Sequence, residues 1–377
     1  MSVAELIPKL GPYMRIEDVK SGVRFVVLDG EIYEPQTENI DAIRSIFKEA
    51  GYTPFFEPNK GSQTAPHRLK VGLFSLRKLR QRHWLNWLLL GITLITTTVG
   101  GALMALESIP EGFSFWRIIW MVLTNPLMLL KGLPYSLALI LILGSHELGH
   151  YLTCRHYGVQ ATPPFFIPFL PLFGTMGAVI RMGLTPNRRT LIRIGAAGPI
   201  VGFMIAIPVT AVGIMLASVD VMQPGTLEFG EPLIFKFLVW LIKGPLEPGQ
   251  EVVMNPLVTA GWLGFLVTSL NLLPLSQLDG GHIAYGLLGR KRIWLALATY
   301  GLMAAVVVGT YVRFRQLSVW LVWAAITLLI GFRHPPAEDE ITPLKTSDIL
   351  IAVAAFIILV LTVMPIPLQV IPPPSSS

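Results

Sequence analysis

Charge is scarce in this sequence and cysteine nearly absent. Asp, Glu, Lys and Arg make up 14% of the 377 residues, against roughly a quarter in soluble domains. That excludes an ordinary water-exposed surface over most of the chain. The single Cys154 excludes an internal disulfide and a thiolate metal cluster, so a metal held here must take nitrogen and oxygen ligands. Cys154 lies one helical turn past His150 and reads as a small buried hydrophobe. Acids are missing between Lys60 and His83, a stretch carrying Lys60, Arg68, Lys70, Arg77, Lys78, Arg80 and Arg82. A one-sided run just before an apolar segment marks a cytoplasmic juxtamembrane element, with Lys70–Arg82 suited to anionic lipid headgroups. Nucleic acid is excluded as the partner, because the run abuts an apolar segment and has no nucleic-acid-binding fold around it. The first twenty residues lack an apolar core and carry Glu5, Lys9, Arg15, Glu17, Asp18 and Lys20, so no cleavable signal peptide is visible.

What is abundant is apolar sequence, 53% of the chain, with a mean hydropathy of +0.61. The pattern predicts an all-α polytopic membrane protein with about seven spans. They fall near Trp84–Leu106, Leu133–His156, Leu191–Ala217, Val252–Leu275, Ile293–Val312, Leu317–Phe332 and Ile349–Met364. Trp84, Trp87, Trp116, Trp120, Trp294 and Trp320 sit near span ends, as an aromatic belt requires. Residues 116–130 are apolar but interrupted by Asn125-Pro126, and read as an interfacial or half-buried helix.

Four regions follow: a soluble N-terminal region over 1–83, a core over 84–290, further spans over 291–366, and a Pro/Ser tail over 367–377. The N-terminal region is expected to be a small cytoplasmic α/β unit. Val23–Leu28 reads as a strand, Asn39–Gly51 as a helix capped by Asn39 or Asp41, and 58–66 as a tether. With the N-terminus inside, the second span runs inward. The next loop, with Arg181, Arg188, Arg189 and Arg193, then lies in the cytoplasm. Residues 218–251, with Glu228, Glu231, Glu247 and Glu251, lie outside.

The second span contains His146-Glu147-Leu148-Gly149-His150. Histidines four apart share one helix face, the arrangement that grips zinc with a glutamate beside it. Ionisable groups in a bilayer segment cost roughly 3 kcal/mol or more each unless a function retains them. A catalytic zinc takes three protein ligands and leaves one position open. Asp279 is the candidate third ligand. It follows the fourth span in Asn271-Leu-Leu-Pro274-Leu-Ser-Gln-Leu-Asp279-Gly280-Gly281, where Pro274 ends the helix and the glycines permit a tight turn. Two alternatives stay open: Asp279 as the cap of a helix over 281–289, and His282 as the ligand.

Residues 161–182 are too proline-rich for a helix and too apolar for a free loop. Such backbone is tolerated at membrane depth only under protein cover or along a cavity. Phe173–Met182 has strand composition, and a re-entrant β-hairpin beside the metal site fits, with an interfacial loop as the alternative. Gly195-Ala-Ala-Gly198-Pro199-Ile-Val-Gly202 reads as close helix packing beside the catalytic helices.

Together, His146-Glu147-x-x-His150, Asn271-x-x-Pro274 and Leu278-Asp279-Gly280 resemble the site-2 protease family of intramembrane zinc metalloproteases (peptidase family M50), over roughly residues 84–290. Phe173-Gly174-Thr175-Met176-Gly177 is similar to that family's glycine-bearing strand. A soluble head before a seven- or eight-span core most resembles the cyanobacterial and plastid branch, which implies a bacterial inner membrane or a thylakoid membrane. The resemblance implies one Zn2+ on His146, His150 and Asp279, with Glu147 as general base. It also implies that Asn271 holds the substrate backbone or the oxyanion, though an interhelical hydrogen bond is its simpler role. Gly174, Thr175, Met176, Gly177 and Ala178 would form the edge that receives substrate. The family's extracytoplasmic PDZ domain does not fit into 218–251.

The expected function is therefore intramembrane endopeptidase, acting on single-span membrane proteins near the cytoplasmic side. A divalent-metal transporter built on the same three ligands is the competing reading, and an inactive scaffold is a third.

Overall fold

The computed structural model describes residues 2–73, 82–106, 114–170, 173–221, 227–316, 318–331 and 334–370. After a short α1 (Val3–Leu6), the N-terminal region folds as an antiparallel sheet. Its strands are β1 (Met14–Ser21), β2 (Phe25–Ile32), β3 (Thr53–Pro58) and β4 (His67–Gly72), in the order β1-β2-β4-β3. One helix, α2 (Gln36–Glu49), packs on it through Ile40, Ile43 and Phe47. Their spacing makes a single apolar stripe, which meets Leu28, Phe56, Leu69 and Val71 of the sheet.

Three expectations for this region are corrected. The single strand Val23–Leu28 is β2, displaced toward Ile32 and one of four. The helix begins at Gln36, with Pro35 at the N-cap and no side-chain cap, so neither Asn39 nor Asp41 caps it. Residues 58–66 are no tether but the connection inside the β3–β4 hairpin. Arg77, Lys78 and Arg80 lie outside the described residues.

The rest is mostly helical. α3 (His83–Met104), α4 (Phe115–Thr124) and α5 (Pro126–His156) come first. Asn125 accepts the Leu127 and Met128 amides and so starts α5, seven residues before the expected Leu133. The break at Asn125-Pro126 is therefore real, but residues 126–130 belong to the long helix. β5 (Phe165–Pro168) and β6 (Thr175–Val179) then form an antiparallel hairpin, followed by α6 (Arg188–Leu216).

Residues 218–252 hold β7 (Val219–Val221), β8 (Leu227–Phe229), α7 (Leu233–Lys243) and β9 (Gln250–Val252). α8 (Pro256–Leu272), α9 (Asp279–Leu288), α10 (Arg292–Phe314), α11 (Val319–Ile330), α12 (Thr346–Thr362) and β10 (Leu368–Val370) complete the chain.

Among the described residues, four helical stretches are long and apolar enough to cross a membrane: His83–Met104, Pro126–His156, Arg188–Leu216 and Asp279–Phe314, the last continuous through α9 and α10. The expected spans Val252–Leu275, Leu317–Phe332 and Ile349–Met364 are the shorter apolar helices α8, 17 residues, α11, 12 residues, and α12, 17 residues. Trp84, Trp87, Trp116, Trp120 and Trp294 are exposed, but Trp320 is buried, with its indole N–H on the Met364 and Pro365 carbonyls. Trp320 is thus a packing residue and no part of a belt. The tail is also more ordered than its composition suggests, since β10 pairs with β8; residues 371–377 lie outside the described ones. The main core lies among α5, α6, α8 and α12, around Tyr135, Ile142, Phe203, Trp262, Phe265 and Ala355.

Candidate metal centre

α5 carries His146, Glu147 and His150 into the bundle, where each is less than 7% exposed. The Nε2 atoms of His146 and His150 lie 3.2 Å apart. Asp279 Oδ2 is 3.2 Å from His146 Nε2, and its Oδ1 is 3.2 Å from His150 Nε2. One ligand atom from each residue falls within 4.8 Å of the others. Two imidazole nitrogens and a carboxylate oxygen aimed at one point are the donor set zinc prefers when one coordination position stays open. The residues present therefore fit the ion. Among the described residues, no other group of three His, Cys, Asp or Glu converges this way.

Each ligand is held by something behind it. His150 Nδ1 is 2.7 Å from the Ile194 carbonyl. A carbonyl only accepts, so Nδ1 carries the proton and the Nε2 lone pair is left for a metal. α6 leaves room for both rings by having no side chains there. A Cβ at Gly198 would lie 2.1 Å from His150 Nε2, and one at Gly202 3.0 Å from His146 Cβ. The small-residue stretch is thus close helix packing, as expected, and it packs against the ligands themselves.

Asp279 arrives by a tight turn. α8 ends at Leu272, and Ser276 adopts φ 48° while its hydroxyl donates to the Gly331 carbonyl. At Gly280 a Cβ would sit 1.9 Å from the Leu272 carbonyl oxygen, so only glycine lets the chain fold back this closely. α9 begins at Asp279 itself with Leu278 as N-cap, which removes the capping role for Asp279. His282 is no ligand of this group either. Its Nδ1 lies 2.6 Å from His334 Nε2.

Glu147 stands beside the three donors. Its side chain borders a cavity of about 640 Å³. His150, Asp279 and Asn271 share that cavity with residues 178–185 and His334–Pro336. Asn271 Nδ2 is 3.4 Å from His146 Nε2, an interhelical contact from α8 to α5 made at the metal group itself.

The hairpin forms the opposite wall. Phe165 pairs with Val179, Phe166 with Ala178 and Pro168 with Thr175, so β6 carries one extra residue in a bulge. Gly177 lies in that bulge with φ 107°. Protein covers the hairpin: Asn86 of α3 donates to the Pro163 and Pro164 carbonyls, and Tyr135 of α5 to the Phe173 carbonyl. The expected strand is shortened to Thr175–Val179. Gly174 is a turn residue pinned on α3, where Thr96 donates to its carbonyl at 2.6 Å. Thr175 faces inward onto the Ile167 carbonyl, Met176 is exposed, and Ala178 lines the cavity. The second edge of β6 is unpaired among the described residues. Cys154 is fully buried with Val159, Ala161 and Ile194, as a small hydrophobe should be.

Three participants were not found from sequence: the Ile194 carbonyl, the ring seats at Gly198 and Gly202, and the His334–Pro336 wall. For the glycines a signal existed, their spacing opposite a histidine pair. A backbone carbonyl leaves no such trace.

Residues 134–311 match the model of peptidase family M50. Similar proteins include the probable zinc metalloprotease EGY2, chloroplastic, of Oryza sativa subsp. indica. It is 31% identical over 248 residues, which cover 64% of this chain and 44% of that protein. The Arabidopsis thaliana protein of the same name is 34% identical over 169 residues, 44% of this chain and 30% of that one. Probable zinc metalloprotease EGY1, chloroplastic, of Arabidopsis thaliana is 32% identical over 244 residues, 62% and 43%. The chain spans less than half the length of these curated relatives. No solved structure matches.

Proposed function

We propose, from the match of residues 134–311 to peptidase family M50, that the chain is an intramembrane zinc endopeptidase of the site-2 protease type. One observation carries the reading: His146, His150 and Asp279 converge inside an apolar bundle with Glu147 beside them. Those three residues would hold the zinc. When bound, the ion polarises the scissile carbonyl and makes water acidic enough to attack near neutral pH.

The chain's own residues do the rest. A membrane-spanning helix satisfies its amides internally and must unwind before a peptide bond can be attacked. The free edge of β6 offers replacement backbone hydrogen bonds to the unwound segment, with Ala178 facing the cavity and Gly177 shaping the bulge. Glu147 takes a proton from water as its oxygen adds to the carbonyl carbon. It returns the proton to the amine nitrogen as the C–N bond breaks, leaving an acid and an amine. Asn271 steadies the carbonyl oxygen or the neighbouring backbone.

In this reading the chain crosses the bilayer seven times, with α8, α11 and α12 as short spans and the hairpin re-entrant. The N-terminus is cytoplasmic, the positive charge of Lys70–Arg82 suits anionic headgroups, and the membrane is a bacterial inner membrane or a thylakoid. The substrate is a single-span membrane protein cut near its cytoplasmic boundary. No comparison supports the transporter alternative. The test is cleavage of such a substrate by purified protein in detergent. Glu147→Gln should keep the wild-type zinc content and lose cleavage. Retained cleavage would sink the assignment of Glu147, and zinc flux without cleavage in proteoliposomes would replace the peptidase with the transporter.

A further inference from the structure

Residues 334–342, between α11 and α12, touch both the cavity and the N-terminal sheet. At one end His334, Pro335 and Pro336 line the cavity wall facing the hairpin. His334 is anchored there by His282 and by a stacked Tyr285 ring, 4.5 Å between centroids at 14°. At the other end the segment joins the sheet. The Phe56 N–H donates to the Glu338 carbonyl at 2.7 Å, the Glu340 N–H donates to the Phe56 carbonyl at 2.9 Å, and Phe56 and Asp339 form a parallel bridge. β3 is the edge strand of its sheet, so this segment occupies the edge that the domain would otherwise expose.

Glu338 links the two bodies. Its N–H donates to the Thr185 carbonyl at 2.9 Å, in the connection from the hairpin to α6. Its carboxylate, 3% exposed, meets Lys48 at 2.9 Å and Arg44 at 3.3 Å, both on α2. Arg44 also donates to the Pro186 carbonyl at 3.1 Å. Ala337, Glu338 and Asp339 are each 2% exposed, and Ile341 packs on the domain's core. Hydrogen bonds thus run without a gap from hairpin exit to segment to β3. A buried carboxylate is retained at this junction only because two cations meet it.

We propose that residues 334–342 are a strap that lets the N-terminal domain control access to the catalytic cavity. Clamped between β3 and Thr185, the strap narrows the side through which an unwound segment reaches Asp279. When the domain lets go of Glu338, the wall formed by His334–Pro336 can swing away. A domain of otherwise unassigned purpose thereby becomes the regulatory part of the chain. The inference concerns regulation of the peptidase site proposed above and rests on that reading, so its test needs a readout other than cleavage.

Cys154 is buried, so a cysteine placed at Ala178 reports cavity access in the detergent-solubilised full chain through its labelling by a water-soluble maleimide. R44A/K48A and, separately, E338Q release the strap without altering a cavity residue. Labelling of A178C should accelerate on the order of tenfold in both backgrounds, while Cys154 stays unlabelled, as it would not in a loosened bundle. Cleavage of a single-span substrate should rise with it where the native cavity residue is kept. Unchanged labelling in both variants overturns the strap. Faster labelling in a protein that cuts no membrane substrate upholds the strap and removes the endopeptidase reading instead.

Discussion

The Nδ1–H of His150 donates to the Ile194 carbonyl at 2.7 Å, and this contact fixes which ring nitrogen faces Asp279. α6 therefore orients a ligand it does not itself supply. Its glycines complete the arrangement, because a methyl group at Gly198 would fall within 2.1 Å of His150 Nε2. Gly198→Ala should turn the ring and weaken zinc binding by about 10- to 100-fold, the usual loss when a ligand's support is disturbed. Zinc content after dialysis against a graded chelator checks this, and unchanged retention would show that the ring has another place to go.

Asp279 closes the donor set from a separate helix. Asp279→Ala should abolish tight zinc binding, whereas His282→Ala should leave it intact, because the His282 ring is taken up by His334. Metal analysis of the two variants separates them. Zinc lost equally from both would return His282 to the ligand list.

Gly177 makes a different demand. It sits at φ 107° with open space where a Cβ would be, so a substitution there is opposed by backbone strain of about 1–2 kcal/mol and not by a clash. Gly177→Val or Gly177→Pro should reshape the bulge and reduce cleavage sharply with zinc content unchanged. Loss of zinc together with cleavage would mean that the hairpin supports the ligands and is not a substrate edge.

His67 ties β4 to β2, its Nδ1 accepting the Ile32 N–H at 3.0 Å. Burial holds its pKa below the ordinary 6.5, and a protonated Nδ1 could not accept that bond. The unfolded chain then binds the proton more readily than the folded one, so stability is present above pH 6.5 and lost as pH falls below it. Amide exchange in β2 and β4 should speed up on going from pH 7 to pH 5.5, after correction for intrinsic rates. The effect should be smaller in His67→Gln.

Sequence alone made the metal group readable because its signals are local. His146 and His150 share a helix face at a spacing of four, and Pro274 with Gly280 announces a turn in front of Asp279. The N-terminal sheet was largely hidden for a physical reason. β1 is exposed along most of its length, so it lacks the alternation that betrays a half-buried strand. β2 carries Asp29 and Gly30 in its centre, the carboxylate held by Arg68, and β3 opens on Thr53-Pro54. Trp320 shows the converse limit. A tryptophan near a helix end has the same composition signal whether it meets lipid headgroups or a buried carbonyl pair. The strap at 334–342 was invisible because its partners, Phe56 and Thr185, are far away in sequence and act through backbone atoms.

The separation between His146 and Asp279, 133 residues along the chain, also has a consequence in time. During synthesis at roughly 5–20 residues per second, the histidine pair precedes its third partner by on the order of ten seconds. Over that interval α6, α8 and the hairpin can settle around an incomplete donor set. A ribosome-stalled chain ending before Asp279 should retain no tightly bound zinc, while one extended past α9 should. The donor set is thus completed only after α3, α5, α6 and α8 have been made, by the order of the sequence alone.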